Sequence, residues 1–261
     1  MRLLLPVILL AAAAASAQDW AQKILEQSPR HGEWVTLKAG SRNVSAFVVY
    51  PEVKTKAPVV IVIHEIFGMT DWVRTVADKL AANGYIAIAP DLLSGFGPNG
   101  GRSSDFPSVD AAREAVGKLP PDSVTEALNA AADYGIKLPA SNGKLAVAGF
   151  CWGGSQSFRF ATSRADLKAA FVFYGTGPDD VSRITAPVYG FYAGNDARVD
   201  ATIPQAQQAM QAAGKKYDPV TYEGAGHGFM RMGVDPSNTN PANKAACDQG
   251  WQRWLDLLRK M

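Results

Sequence analysis

Gly149-Phe150-Cys151-Trp152-Gly153-Gly154 lies between Lys144-Leu145-Ala146-Val147-Ala148, a short apolar run with strand character, and Ser155-Gln156-Ser157-Phe158-Arg159-Phe160, which opens a helix. Strand, Gly-x-Cys-x-Gly, helix is the pattern of a sharp turn that presents a nucleophile at the end of a sheet strand, with cysteine in the serine position. The glycines are a physical requirement of that turn. It holds its central residue in a strained backbone conformation, and side chains at the flanking positions would collide with neighbouring elements. A sulfur held there sits beside a helix N-terminus, whose dipole favours a thiolate. The same six residues are equally compatible with a buried core cysteine beside a glycine-rich turn, so the remainder of the chain has to decide.

The first residues read as a leader. Met1-Arg2 is a short basic start, Leu3 to Ala15 is almost wholly apolar, and Ala15-Ser16-Ala17 fits a small-residue cleavage site. The apolar run is short for a membrane span and is followed at once by polar Gln18-Asp19. We therefore expect a signal peptide over residues 1–17, a mature chain from about Gln18, and a secreted or periplasmic protein. Residues 18–261 are enough for one well-cored domain and too few for two comfortable ones. The formal net charge of the 261-residue chain is +2. Acidic and basic residues are interspersed, which gives no argument for nucleic acid or an anionic membrane surface as partner. The two cysteines of an exported chain raise the alternative of a Cys151–Cys247 disulfide.

Trp34–Leu37 and Val44–Tyr50 alternate as an antiparallel pair would. Val59–Ile63 is a continuous β-branched run, the signature of a strand buried on both faces, and Tyr85–Ala89 is a second, ended by Pro90. Helical spacing between them runs from Asp71 to Asn83, with Thr70 or Asp71 as cap and Asn83-Gly84 as stop. A glycine- and proline-rich segment, Gly95 to Pro107, predicts a long loop over one end of the sheet. A helix over Pro121–Tyr134 leads into the strand before Cys151. Ala169–Tyr174, Pro187–Tyr192 and Tyr217–Tyr222 are three further strands, with a helix over Ile203–Ala213 before the last. Trp251, Trp254, Leu255 and Leu258 fall at i, i+3, i+4 and i+7, a core-facing stripe of a C-terminal helix. Buried strands alternating with helices predict an α/β fold, a mostly parallel sheet covered on both faces.

A cysteine nucleophile needs a base, and the base needs an orienting group. The chain has three histidines: His31, His64 and His227. His227 follows the last predicted strand in Gly224-Ala225-Gly226-His227-Gly228-Phe229, and Asp196 follows the preceding one in Gly194-Asn195-Asp196. Both, like Cys151, leave the C-terminal ends of strands, where open α/β sheets place their sites. His64-Glu65-Ile66-Phe67-Gly68 follows the Val59–Ile63 strand. The backbone N–H groups of Ile66 and Trp152 are the candidate oxyanion donors. On its own, Glu65 reads either as a group that holds the thiol or positions the histidine, or as a solvated loop glutamate. The few, widely spaced histidines show no metal-ligand cluster, and no cofactor is expected.

Together, His64-Glu65-Ile66-Phe67-Gly68, Gly149-Phe150-Cys151-Trp152-Gly153-Gly154, Asn195-Asp196 and Gly226-His227-Gly228-Phe229 resemble the dienelactone hydrolase family of the α/β-hydrolase fold, over the chain from about Val44 onward. The resemblance implies a hydrolase of ester or lactone bonds acting through Cys151, His227 and Asp196 and a thioester acyl-enzyme. It also implies that Glu65 holds the resting thiol and moves when substrate binds. The family grips the carboxylate of an acidic lactone with arginines. Arg231 has the expected spacing after His227, and Arg102 is the only arginine of the Gly95–Pro107 loop. Gly228 stands where the family often has serine, and the leader departs from its cytoplasmic members. A broad carboxylesterase or thioesterase, or a non-catalytic exported binding protein, are the alternatives.

Overall fold

The computed structural model describes residues 19–261; the expected leader, residues 1–17, lies outside the described residues. Eight strands form one sheet: β1 (Gly32–Ala39), β2 (Arg42–Val49), β3 (Ala57–Ile63), β4 (Ile86–Pro90), β5 (Ser141–Phe150), β6 (Leu167–Phe173), β7 (Val188–Ala193) and β8 (Tyr217–Tyr222). Their order is β1-β2-β4-β3-β5-β6-β7-β8. The β1–β2 hairpin and its junction with β4 are antiparallel, and every other neighbour is parallel. The helices are α1 (Asp19–Glu26), α2 (Asp71–Ala82), α3 (Val109–Gly117), α4 (Pro121–Lys137), α5 (Trp152–Phe160), α6 (Ala197–Asp200), α7 (Ile203–Ala212), α8 (Phe229–Met232) and α9 (Pro241–Leu258). None of the helices among the described residues is long and apolar enough to cross a membrane.

The expected α/β architecture is the one observed, and the central strands show why. Successive β3 side chains belong to different cores. Val59, Ile61 and Ile63 pack under α4 with Ala127, Leu128 and Ala131, whereas Val60 and Val62 pack with Trp72, Val76 and Leu80 of α2. All five are fully buried. A strand whose two faces are both covered cannot alternate apolar with polar residues, which is why β3 reads as an unbroken run. The α9 stripe behaves as its spacing predicts. Trp251, Trp254 and Leu258 join the α2-side core, and Trp254 lies edge-on to Phe173 of β6 at 4.9 Å between ring centroids.

The chain makes β3, crosses to β4 on one side, then returns to lay β5 on the other side of β3. Such a reversal opens a crevice at the carboxyl ends of the two central strands. Ile63 pairs with Gly149, so Glu65 and Cys151 each lie two residues beyond the last pair. α5 begins at once after Cys151 and runs back across the sheet against backbone, not side chains. A Cβ on Gly149 would stand 1.9 Å from the Gly153 carbonyl oxygen, and one on Gly153 would stand 2.3 Å from the His64 carbonyl oxygen. Gly149→Ala is therefore expected to cost about 3 kcal/mol or more by urea denaturation. Gly117→Ala, at the end of α3 with nothing within 4 Å of the new methyl, is expected to gain about 0.5 kcal/mol.

Candidate active site

Cys151 sits at φ 58°, ψ −119°, a conformation that non-glycine residues adopt only under constraint. Its N–H donates to the Phe173 carbonyl of β6 at 3.0 Å, and its carbonyl accepts from the Gly154 N–H at 2.9 Å. The strand on one side and the first turn of α5 on the other thus hold the turn. The side chain opens into a cavity of about 520 Å³ lined also by Glu65, Ile66, Trp152, Tyr174 and His227. Cys151 and Cys247 are both free thiols, which removes the disulfide alternative. Cys247 is buried on α9, donates to the Met230 carbonyl at 3.4 Å, and burial pushes its thiol up to about 11.

His227 Nδ1 is hydrogen-bonded to Asp196 Oδ2. A carboxylate can only accept, so Nδ1 carries the proton and Nε2 is the nitrogen left for Cys151. Two loops fix this pair. The Gly226 N–H donates to Asn243 Oδ1 of α9 at 2.8 Å, and the Asn195 N–H donates to the Ala225 carbonyl at 2.9 Å. Gly228, at φ 80°, turns the chain into α8. Burial alone pulls the His227 imidazole down, but its hydrogen bonds to Cys151 and Asp196 outweigh this and push it up to about 9.

Ile66 and Trp152 both line the cavity, and neither backbone N–H has a hydrogen-bond partner among the described residues. Glu65 is 3 % exposed and accepts a 2.8 Å hydrogen bond from Arg231 Nε. Burial raises its carboxyl, and the charge of Arg231 opposes the rise. In this structure, then, the hydrogen-bond partner of Glu65 is Arg231 and not the Cys151 thiol. Arg231 remains a quarter exposed (26 %) on the cavity wall.

Arg102 corrects the sequence reading. Its guanidinium lies 4.6 Å over the Trp34 ring and its Nε donates to Ser104, beside a separate hollow that Asp91 and Arg74 border. The loop carrying it closes on itself: Asp105 accepts from the Arg102 N–H, and Asp91 accepts from Ser103. This turns the side chain away from Cys151. The arginine that this part of the chain does bring to the cavity is Arg113, on α3. That helix was legible, because Ser108 precedes Val109, Ala112 and Val116 at i, i+3 and i+7, and its hydroxyl accepts from the Ala111 N–H as a cap. Arg198, on α6 two residues after Asp196, is a third arginine on the wall. Tyr174 was expected to end a strand. It lies one residue beyond β6 at φ 40°, with its ring edge-on to His227 at 5.0 Å and its buried hydroxyl unpartnered.

An eight-stranded α/β sheet with a cysteine on the turn after its central strand, backed by a histidine–aspartate pair, has the layout of an α/β-hydrolase. The family model for the dienelactone hydrolase family matches residues 44–261, and the chain belongs to that family. Proteins named as candidate carboxymethylenebutenolidases are similar to it. The one from Yersinia pestis is 32% identical, with 85% of each chain covered, and the one from Escherichia coli K12 is 32% identical over 78% of this chain and 77% of its own. A crystal structure assigned as a dienelactone hydrolase, from Klebsiella pneumoniae, superposes with a TM-score of 0.77 at 27% identity, covering 89% of this chain and 99% of that one. The protein is a hydrolase acting on ester bonds.

The raised His227 value has a sign that can be tested. Its pKa is higher folded than its ordinary 6.5, so the stabilisation it brings is present in full below pH 6.5 and is lost as pH rises through about 9. By NMR, Cys151→Ala and Asp196→Asn are each expected to lower the His227 titration midpoint from about 9. Each should also flatten the fall in melting temperature between pH 6.5 and 9.

Proposed function

We propose that the protein hydrolyses small carboxylated esters or lactones through a cysteine acyl-enzyme. The observation that carries this reading is the convergence of Cys151, the His227–Asp196 pair and two unpartnered N–H groups on one cavity. With the imidazole pushed up to about 9, the thiol proton passes to His227 and Sγ attacks the substrate carbonyl. The carbonyl oxygen takes the charge and is met by the Ile66 and Trp152 amides. Collapse of the tetrahedral adduct breaks the acyl–oxygen bond. His227 gives its proton to the departing alkoxide and leaves a thioester on Cys151. Water, deprotonated by the same imidazole, then attacks the thioester and regenerates the thiol. Asp196 keeps the ring in the tautomer that presents Nε2 throughout. A lactone suits this site because its leaving alcohol stays tethered.

Charge on the cavity wall supports an acidic substrate. Among the described residues, Glu65 is the only carboxylate lining it and is matched by Arg231, and Arg113 and Arg198 have no acidic partner. The Glu65–Arg231 pair supports a modified role for Glu65. A substrate carboxylate arriving at Arg231 competes with Glu65 for the guanidinium, and a displaced Glu65 is then free to act on the thiol. The leader pattern of Met1–Ala17 supports an exported enzyme.

Cys151→Ala is expected to lower turnover of an activated ester by at least about a thousandfold with an unchanged circular dichroism spectrum. Turnover close to wild type would overturn the mechanism. Arg113→Gln and Arg198→Gln are each expected to raise KM for a carboxylated lactone roughly three- to tenfold, the size of one exposed charge-assisted contact. KM for a neutral ester of similar size should stay the same.

A further inference from the structure

His64 is completely buried, and nothing in the proposed chemistry uses its imidazole. Its Nδ1 lies 2.7 Å from the carbonyl oxygen of the next residue, Glu65, and its Nε2 lies 3.3 Å from the backbone nitrogen of Leu92. The two contacts fix the tautomer together. A carbonyl only accepts, so Nδ1 must carry the proton, and the Leu92 N–H donates to a bare Nε2. Burial pushes the imidazole down, which keeps the ring neutral and both bonds in place. The opposite face of the site meets the same ring, because the Trp152 indole stacks on it at 5.6 Å between centroids and 15° between planes.

The geometry points to His64 as the positioning residue of the oxyanion hole. The Glu65 carbonyl and the Ile66 N–H belong to one peptide group. That group is planar and trans, so its C=O and N–H point in opposite directions. A donor that pins the Glu65 oxygen towards the protein interior therefore aims the Ile66 N–H outward, into the cavity it borders. The other donor to this oxygen, the Gly68 N–H at 3.2 Å, comes from the same short loop and moves with it. His64, by contrast, is referenced through Leu92 to the end of β4 and through Trp152 to the start of α5. One ring thus holds the two oxyanion amides, Ile66 and Trp152, in register with each other. A donor aimed before the reaction acts at full strength on developing charge, and one that must reorient does not. This inference rests on the assignment of Ile66 as an oxyanion donor.

His64→Leu removes both hydrogen bonds at similar volume. His64→Asn can place an amide N–H near the former Nδ1 but loses the ring stack and the Leu92 contact. With an activated ester, Leu is expected to lower kcat at least about tenfold while KM stays within about threefold. Affinity for a trifluoromethyl ketone, which forms a tetrahedral adduct on Cys151, should fall in the same proportion as kcat/KM. Asn is expected to recover most of the lost kcat even though it leaves the larger void. Equal losses in Leu and Asn, tracking their melting temperatures, would overturn the inference, and so would an undiminished kcat in Leu. If Leu does not fold, ¹⁵N-histidine NMR of the wild-type protein decides. A neutral ring protonated on Nδ1 is expected, and a proton on Nε2 would overturn the inference. Full activity in Cys151→Ala would instead unseat the proposed mechanism, a result separable from every His64 outcome.

Discussion

Backbone rests on backbone where β5 turns into α5, and the site is built outward from that contact. Gly149 faces the Gly153 carbonyl, Gly153 faces the His64 carbonyl, and Gly154 faces the Phe173 carbonyl. No Cβ fits at any of the three positions, so the helix lies closer to the sheet than side chains would permit. That closeness forces Cys151 to φ 58°, with its side chain partly buried at the cavity wall. It also brings the first amide of α5 level with the loop after β3. Neighbouring strands supply the opposing wall, because Phe173 and Gly175 close over the same turn. The position of Cys151 at the cavity is thus a packing result, and it costs backbone strain that the surrounding core is large enough to hold.

Charge is distributed around that turn in two separate pairs. His227 and Asp196 form one, stiffened by Asn243 and the glycines of their loop. Glu65 and Arg231 form the other, more deeply buried on the carboxylate side than on the cationic side. A buried carboxylate held by one partly exposed guanidinium is sensitive to anything that competes for that guanidinium. In both pairs the carboxylate is buried and its partner partly exposed, 32% for His227 and 26% for Arg231.

Most of the fold was legible because its strands are buried on both faces. Eight apolar or alternating runs predicted eight strands, and the α9 tryptophans predicted their own burial. What escaped was short or carried by the loops. α6 and α8 span four residues each, too few for a periodicity to show. α3, just past the Gly95–Pro107 segment, was not predicted, although its capping serine and apolar spacing were legible. That Cys151, Asp196 and His227 lie just past strand ends could be read from the sequence. The arginines on the cavity wall were legible only in part: Arg231 follows from its spacing after His227, whereas the places of Arg102 and Arg113 depend on which way a loop folds. The Asp91–Ser103 and Arg102–Asp105 contacts decide that direction, and they withdraw Arg102 while α3 delivers Arg113.

β8 closes the parallel side of the sheet, and it carries Pro219 at its middle. The carbonyls of Lys216 and Tyr222 both accept from the β7 side. Even-numbered residues of β8 therefore turn their amides inward, and Pro219 belongs to the set that faces out. The free margin of the sheet lacks a donor at its centre as a result. A guest strand laid along it would find its ladder interrupted halfway, with a carbonyl left facing the proline ring. This margin is blunted against edge-to-edge growth by one residue, at no cost to the pairing that holds β8 in place.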